Sequence, residues 1–314
     1  MRDGALPPLV RGGTYLEAGD KVCVIFNPAA ARDRARGKLH ALQEKLGKAV
    51  EWRPTERPGH AEELAGEAAR QGFGIVAAAG GDGTVHEVAN GLLAAGLPDV
   101  SFALVPVGSA NDYAYALGIN GSEPFPGRRK RQVDAGLVES PDGRRRFFVN
   151  SLGLGFSGAV ALESRRIGWL QGLALYGLAF LRALCFRYTC PVMTTCFDDK
   201  TRKEATLSLT LAIGPREGSF VVAPEASIDD GLFDYLHVGA ISRLEILRYM
   251  PRLASGGQLP ADHPRLWQGR CQAVRVEAPL PLTVHIDGEF FARPEDGVTQ
   301  LDIKLLPGAL RVRV

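Results

Sequence analysis

The 314-residue sequence contains no C-x-x-C pair, and its five cysteines (Cys23, Cys185, Cys190, Cys196 and Cys271) are an odd set with no histidine pair beside them. That excludes the usual zinc frameworks and a disulfide-built fold, and it predicts reduced, structural thiols in a cytosolic protein. No charge of one sign dominates: 37 Lys and Arg against 35 Asp and Glu leave a net +2. Without a basic field, and without a zinc-finger, RNP or helix-turn-helix pattern, nucleic acid is not an expected partner. Residues 1–20 lack the apolar core that an export signal needs, so a cytoplasmic location is expected. Internal repeats are absent. So is the Walker pattern G-x-x-x-x-G-K-[ST], and Gly81-x-Gly83 lacks the third glycine of a dinucleotide fingerprint.

What is present centres on Gly80-Gly81-Asp82-Gly83-Thr84. An apolar run, 75–79, leads into it and a helical pattern, 85–95, follows, which reads as a buried parallel strand turning into a helix. Glycines let the backbone approach a ligand, and a helix start offers N–H groups and partial positive charge to a phosphate. Asp82 is out of place beside a phosphate unless it holds a cation, orients a water or hydroxyl, or accepts a proton. Around this loop strands alternate with helices. Strand patterns fall at 22–26, 50–54, 75–79 and 102–105, helical ones at 37–46, 60–70, 85–95 and 113–117. The alternation predicts an α/β domain with a doubly wound parallel sheet. The loops at Asn27, Thr55, Gly80 and Gly108 would then open on one crevice at the strands' carboxyl ends.

Past a Pro- and Gly-containing connector at 121–127, strand patterns dominate: 132–138, 146–150, 192–197, 205–213, 232–238, 273–277, 282–286 and 300–305. Many strands with few crossovers predict a β-sandwich, and the length allows two domains, placed at 20–130 and 131–306. One helical stretch, 169–186, is apolar almost all round, flanked by Arg165, Arg166 and Arg187 and interrupted by Gln171 and Arg182. It is marginal for a membrane span. Burial in the β domain is the plainer expectation; a place beside an apolar pocket or on a bilayer surface is the functional one. The basic runs 128–131 and 144–146 read as solvated loop faces, or as contacts to anionic lipid. His86 reads as an exposed helix residue.

Six blocks, in order, carry a resemblance. They are Asn27-Pro28; Thr55 with Gly59-His60-Ala61; GGDGTVHEVANGL (80–92); PVGSANDYAYALGI (106–119); NSLGLGF (150–156); and APEASIDDGLFDY (223–235) with HIDGE (285–289). Together they resemble the diacylglycerol kinase catalytic family, bacterial lipid kinases and sphingosine kinases among them. The resemblance implies an N-terminal nucleotide domain like that of NAD kinases and phosphofructokinases and a C-terminal β-sandwich, with the last strands returning to the first domain. It implies a phosphotransferase using ATP and Mg²⁺ on the hydroxyl of diacylglycerol, a sphingoid base or a related lipid. Peripheral contact with the inner membrane face and a homodimer are compatible with it.

The resemblance also implies site residues. ATP would meet Thr55, Gly80, Gly81, Asp82, Gly83, Thr84 and Ser109, with Asn27, Glu87, Asn111 and Asp112 alongside, Asp82 and Asp112 organising Mg²⁺ through water. Ser227, Asp230 and Leu232 would hold a structural Mg²⁺, an all-oxygen set suited to a hard cation. Asp287 would accept the proton of the lipid hydroxyl with Glu289 its neighbour, and Asp82 is the rival base. On residues alone, Asp287-Gly288 is also a common hairpin turn. Two departures stand out: Ala29-Ala30-Ala31-Arg32 where relatives have a glycine-containing loop, with Arg32 or Arg34 as substitute cations, and Gly214-Pro215-Arg216-Glu217-Gly218-Ser219 where they have Asn and glycines. The alternatives are an NAD kinase, which shares GGDGT, and a homologue that binds lipid or nucleotide without catalysis.

Overall fold

The computed structural model describes residues 9–11, 14–16, 21–28, 33–46, 50–108, 110–119, 129–170, 172–218, 220–254, 257, 259–260 and 262–314. The chain divides into two compact units, 1–133 with 308–314, and 134–307. The first unit opens with a hairpin of β1 (Leu9–Arg11) and β2 (Thr14–Leu16), where no strand was expected. Then come β3 (Val22–Phe26), α1 (Asp33–Leu46), β4 (Val50–Pro54), α2 (His60–Arg70), β5 (Ile75–Gly80), α3 (Asp82–Ala95), β6 (Ser101–Pro106) and α4 (Asp112–Ala116). The strands lie parallel in the order β4-β3-β5-β6.

Alternation along the strands explains the layers. Val22 and Val24, with Ile75, Ala77 and Ala79, face Leu39 and Leu42 of α1, while α2 and α3 pack together over the strands from the other side. Strands buried on both faces need apolar residues at every position, and β5 (IVAAAG) is buried throughout. Helices on both faces make the sheet doubly wound.

The second unit holds β7 (Lys130–Glu139), which enters from the first, β8 (Arg145–Phe148), β9 (Ser151–Gly155), α5 (Phe156–Arg166), α6 (Gly172–Phe186), β10 (Val192–Phe197) and β11 (Lys200–Ala212). There follow β12 (Arg216–Glu217), β13 (Phe220–Val221), β14 (Phe233–Gly239), α7 (Arg243–Ala254), β15 (Leu266–Cys271), β16 (Ala273–Glu277), β17 (Val284–Ile286), β18 (Glu289–Ala292) and β19 (Gln300–Arg313). It is an antiparallel sandwich. β11 serves both layers: Lys200–Ala205 pair with β10, and after a register shift between Thr206 and Ser208 the rest lies between β14 and β9. A shift of this kind bends a strand, which lets one strand turn a sandwich corner. Leu152, Leu154, Leu209, Leu211 and Phe233 are fully buried, and Phe148 stacks on Phe233 with ring centroids 5.6 Å apart.

Several expectations need adjusting. The expected strand at 146–150 ends at Phe148 as β8, with a bend at 149–150 before β9, and α5 and α7 carried no helical expectation. α7 hid behind Pro251, which sits inside it. β19 runs past the expected end at 305, through Pro307-Gly308, to Arg313. The apolar 169–186 stretch forms α6 only from Gly172, and it is buried on one side, not all round. Among the described residues no helix is long and apolar enough to cross a membrane.

One buried side chain ties this fold to pH. His237 on β14 is fully buried between Phe197 and Trp267. Thr206 Oγ1 donates to the Glu204 carbonyl, so its hydrogen is used; at 2.9 Å from His237 Nε2 it must accept the ring N–H. Nδ1 is then a lone pair without a partner. Burial lowers the His237 pKa from 6.5 to about 4. The unfolded chain therefore binds the extra proton first, and stability falls as pH drops from 6.5 to about 4, by about 3 kcal/mol from this group. Urea titrations across that range should show the loss, and His237→Gln should flatten its slope.

Candidate active site

In the first unit α3 begins at Asp82, three residues before the helical pattern in the sequence, with Gly81 as its N-cap. The first-turn amides of Asp82, Gly83 and Thr84 therefore point out of the helix at the sheet's carboxyl edge. Phe26 pairs with Pro54 and Ala79, and Gly80 with Pro106, so Asn27, Thr55, Gly81 and Val107 leave that same edge. Two loops meet there backbone to backbone: a Cβ on Gly108 would lie 2.4 Å from the Gly81 Cα. Asp82 locks them. Its Oδ1 accepts the Asp112 N–H at 2.9 Å and its Oδ2 the Asn111 N–H at 3.0 Å. Asn111, in a left-handed conformation at φ 52°, accepts the Gly108 N–H and donates to the Gly108 carbonyl. Further along α3, Glu87 accepts the Gly59 N–H on one oxygen (2.9 Å) and the Ala61 N–H on the other (3.0 Å). It supplies the cap that Gly59, without a side chain, cannot give α2.

In the second unit Asp287-Gly288 is the two-residue turn of the β17–β18 hairpin, with φ 49° and 85°, as a type I′ turn requires. Its carboxylate reaches across to the β8–β9 junction: Oδ1 accepts the N–H groups of Asn150 (2.9 Å) and Ser151 (3.0 Å), Oδ2 that of Val149 (2.9 Å). Arg165, at the end of α5, donates to the Gly288 carbonyl and to Glu289 Oε2 at 2.8 Å. Behind the turn, His285 Nε2 lies 3.0 Å from Glu217 Oε1, and the Asn150 amide donates to the Arg216 carbonyl. The 227–232 loop is anchored from β7: Asp134, 2% exposed, accepts the Gly231 N–H and donates its own to the Ile228 carbonyl. Asp230 Oδ1 accepts the Leu232 N–H, its Oδ2 lies 3.7 Å from Arg270, and the Ser227 hydroxyl donates to Asp229. Among the described residues no three His, Cys, Asp or Glu gather as a metal site. A cation at Asp230 would draw its other donors from carbonyls, hydroxyl or water, and Arg270 would compete for the carboxylate.

Residues 21–133 match the family model of the diacylglycerol kinase catalytic domain, and residues 150–314 that of the YegS C-terminal NAD kinase beta sandwich-like domain. The chain belongs to the diacylglycerol kinase family of lipid kinases. A relative in Pseudomonas aeruginosa named "Probable lipid kinase YegS-like" is 30% identical over 94% of both chains. The Bacillus subtilis diacylglycerol kinase is 27% identical over 85% of this chain and 89% of its own. The crystal structure of a diacylglycerol kinase from Bacillus anthracis aligns with a TM-score of 0.68 over 94% of this chain and 96% of that one; at 19% identity it speaks for the fold alone.

In this lipid kinase the expected residues fall into three groups, one in the first unit and two in the second. Asn27, Thr55, Gly80, Gly81, Asp82, Gly83, Thr84, Asn111 and Asp112 share one sheet edge. Asp287 and Glu289 share a hairpin, and Ser227, Asp230 and Leu232 a loop. Ser109 and residues 29–32 lie outside the described residues. His86 is not exposed: at 2% it is buried on α3, where Asn90 bonds its carbonyl. Glu87 orients the start of α2, not the loop after β5. Asp134 went unnoticed in the sequence, and Glu217 was singled out only as part of the departing 214–219 stretch. A lone carboxylate between Val133 and Ala135 in a buried strand was the available signal for Asp134; nothing in the sequence paired Glu217 with His285.

Asp287 and Glu87 are both bonded to backbone amides, which makes their substitution a test of structure as well as chemistry. Replacing an oxygen by NH₂ sets two donors face to face. Asp287→Asn should therefore lower stability by about 1–3 kcal/mol, and Glu87→Gln by about 1–2 kcal/mol, read as urea midpoints. A purely catalytic carboxylate at 287 would leave the midpoint where it was.

Proposed function

We propose that this lipid kinase transfers the γ-phosphate of ATP to the hydroxyl of diacylglycerol, a sphingoid base or a related lipid. The observation that carries the reading is the edge at Gly81 and Gly108. Bare backbone, the outward amides of α3 and its positive end form a cradle for phosphate oxygens, and Asp82 holds the second loop in register with it. Thr55 and Thr84 are the neighbouring hydroxyls, and Asn27 and Asp112 the neighbouring polar groups; the family resemblance adds Ser109 to the ATP contacts. In the second unit Asp287 is the proton acceptor. Three amides, two on Oδ1 and one on Oδ2, hold its carboxylate in a fixed place for the lipid hydroxyl to meet. As that oxygen bonds to the γ-phosphorus, its proton passes to Asp287, the bond to the bridging oxygen breaks and ADP leaves. The loose transition state of phosphoryl transfer asks more of positioning than of base strength, so a rigid carboxylate suits it. Mg²⁺ near Asp82 and Asp112 would neutralise phosphate charge, and a second, structural ion would sit with Asp230 and the carbonyls of Ser227 and Leu232.

The deciding assay offers γ-labelled ATP with a panel of lipid alcohols in detergent micelles, NAD included as a competing acceptor. Label in an organic-extractable product is expected. Chelation of divalent cations should abolish it, and Asp287→Asn, measured where the variant is folded, should lower it by roughly 10²–10⁴-fold. Label on NAD alone, or none on any lipid, overturns the reading.

A further inference from the structure

Helix α6 buries Ala179, Ala183 and Leu184 and turns an apolar strip outward. Ala174, Leu181 and Cys185 recur at helical spacing and are exposed. Fifteen residues make the strip about 20 Å long. Two large rings stand in solvent near its ends, Trp169 at 77% and Phe186 at 79% exposure. Leu244, exposed on the first turn of α7, continues the surface, because Arg243 beside it donates to the Leu184 carbonyl at 2.9 Å. Soluble proteins seldom leave aromatic rings this bare without a use for them.

Beside the strip lies an unusual charge arrangement. Glu163 of α5 is 2% exposed and receives Arg166 Nη1 at 3.0 Å, Arg182 Nε at 2.9 Å and Arg187 Nε at 2.7 Å. Burial pushes the Glu163 carboxyl up, and the guanidiniums outweigh it and hold it below the usual range. Three positive charges over one negative leave two in excess. Each arginine gives Glu163 one N–H and keeps others turned away from it, on side chains 59%, 44% and 31% exposed. A buried acid thus holds three long side chains in place before any ligand arrives, which removes much of the entropy cost of using them.

We propose that the α5–α6 corner is a docking face for an anionic phospholipid bilayer. The outward nitrogens of Arg166, Arg182 and Arg187 take lipid phosphate oxygens, and Trp169 and Phe186 enter the interfacial layer, where such rings are favoured. Glu163 is a positioning residue. A dissolved phosphate would satisfy the arginines and leave the apolar strip in water; a bilayer satisfies both. The face also continues into the reaction turn, since Arg165, next to Arg166, holds Gly288 and Glu289. Docking would bring Asp287 to the surface where a membrane lipid presents its hydroxyl, and in that purpose the inference rests on the proposed lipid phosphorylation.

The test is co-sedimentation of the full chain with vesicles of equimolar phosphatidylglycerol and phosphatidylcholine, against pure phosphatidylcholine. Wild type should bind the anionic vesicles only. Arg166→Gln with Arg182→Gln, which leaves Arg187 on Glu163, should weaken binding by about fivefold per charge. Trp169→Ala with Phe186→Ala, both in solvent and without cost to folding, should weaken it at least tenfold while turnover in detergent micelles stays unchanged. Equal binding by wild type and both double variants overturns the docking face. So does displacement by inorganic phosphate beyond that of chloride at equal ionic strength, which would mark a site for a soluble anion. Loss of vesicle binding in the variants, with no lipid phosphorylated by wild type, would keep this face and remove the proposed reaction; micellar activity with unaltered vesicle binding would do the reverse.

Discussion

A carboxylate accepting backbone N–H groups from a distant loop is the interaction on which both candidate sites depend. Asp82 holds the amides of residues 111 and 112, Glu87 those of 59 and 61, Asp287 those of 149 to 151, and Asp134 that of 231. Each bond to an ionised group is worth about 1.5–3 kcal/mol, and removing the carboxylate leaves several amides unsatisfied at once. Loops that would otherwise wander are thereby fixed to a strand end or a helix start. This is how a phosphate cradle can be built of glycine, the residue least able to hold its own shape.

On the proposed reading, Asp82 and Asp287 therefore bear two duties. A carboxylate buried in amides is an anchor first, and any part in proton transfer is added to that. The acid-rich motifs of the sequence are dense because anchoring and chemistry are asked of one short stretch. Family membership and the lipid kinase class rest on the whole run of such motifs, not on any single acid.

Much of the framework was legible in the sequence. Val22–Phe26, Val50–Pro54, His60–Arg70, Val192–Phe197 and Ala273–Glu277 fall where periodicity and punctuation put them, because buried strands and amphipathic helices write their period into the chain. What escaped had local signals that contradict the tertiary outcome. Pro251 lies within α7 and Pro307-Gly308 within β19, residues that locally oppose a helix and a strand, and packing overrode them. Glu87 was visible as a polar residue on α3, but its partners lie 26 and 28 positions upstream, and spacing on one helix cannot reveal a cap on another. His86 misled because a polar side chain on a helix usually faces water, whereas here it is buried with Asn90, one turn further on, beside it.

The terminal strand has a consequence for how the chain is made. Val312, fully buried, lies alongside Phe102, and Val314 donates to the Arg129 carbonyl, although residues 134–307 intervene and build a unit of their own. A ribosome releasing this polypeptide from its N-terminus would deliver the sandwich complete while the nucleotide-type sheet still awaited its last neighbour. Contacts so remote along the chain are slow to form. The first unit to emerge is thus finished only after the second, and its edge beside β6 stays open until residues 308–314 have been made.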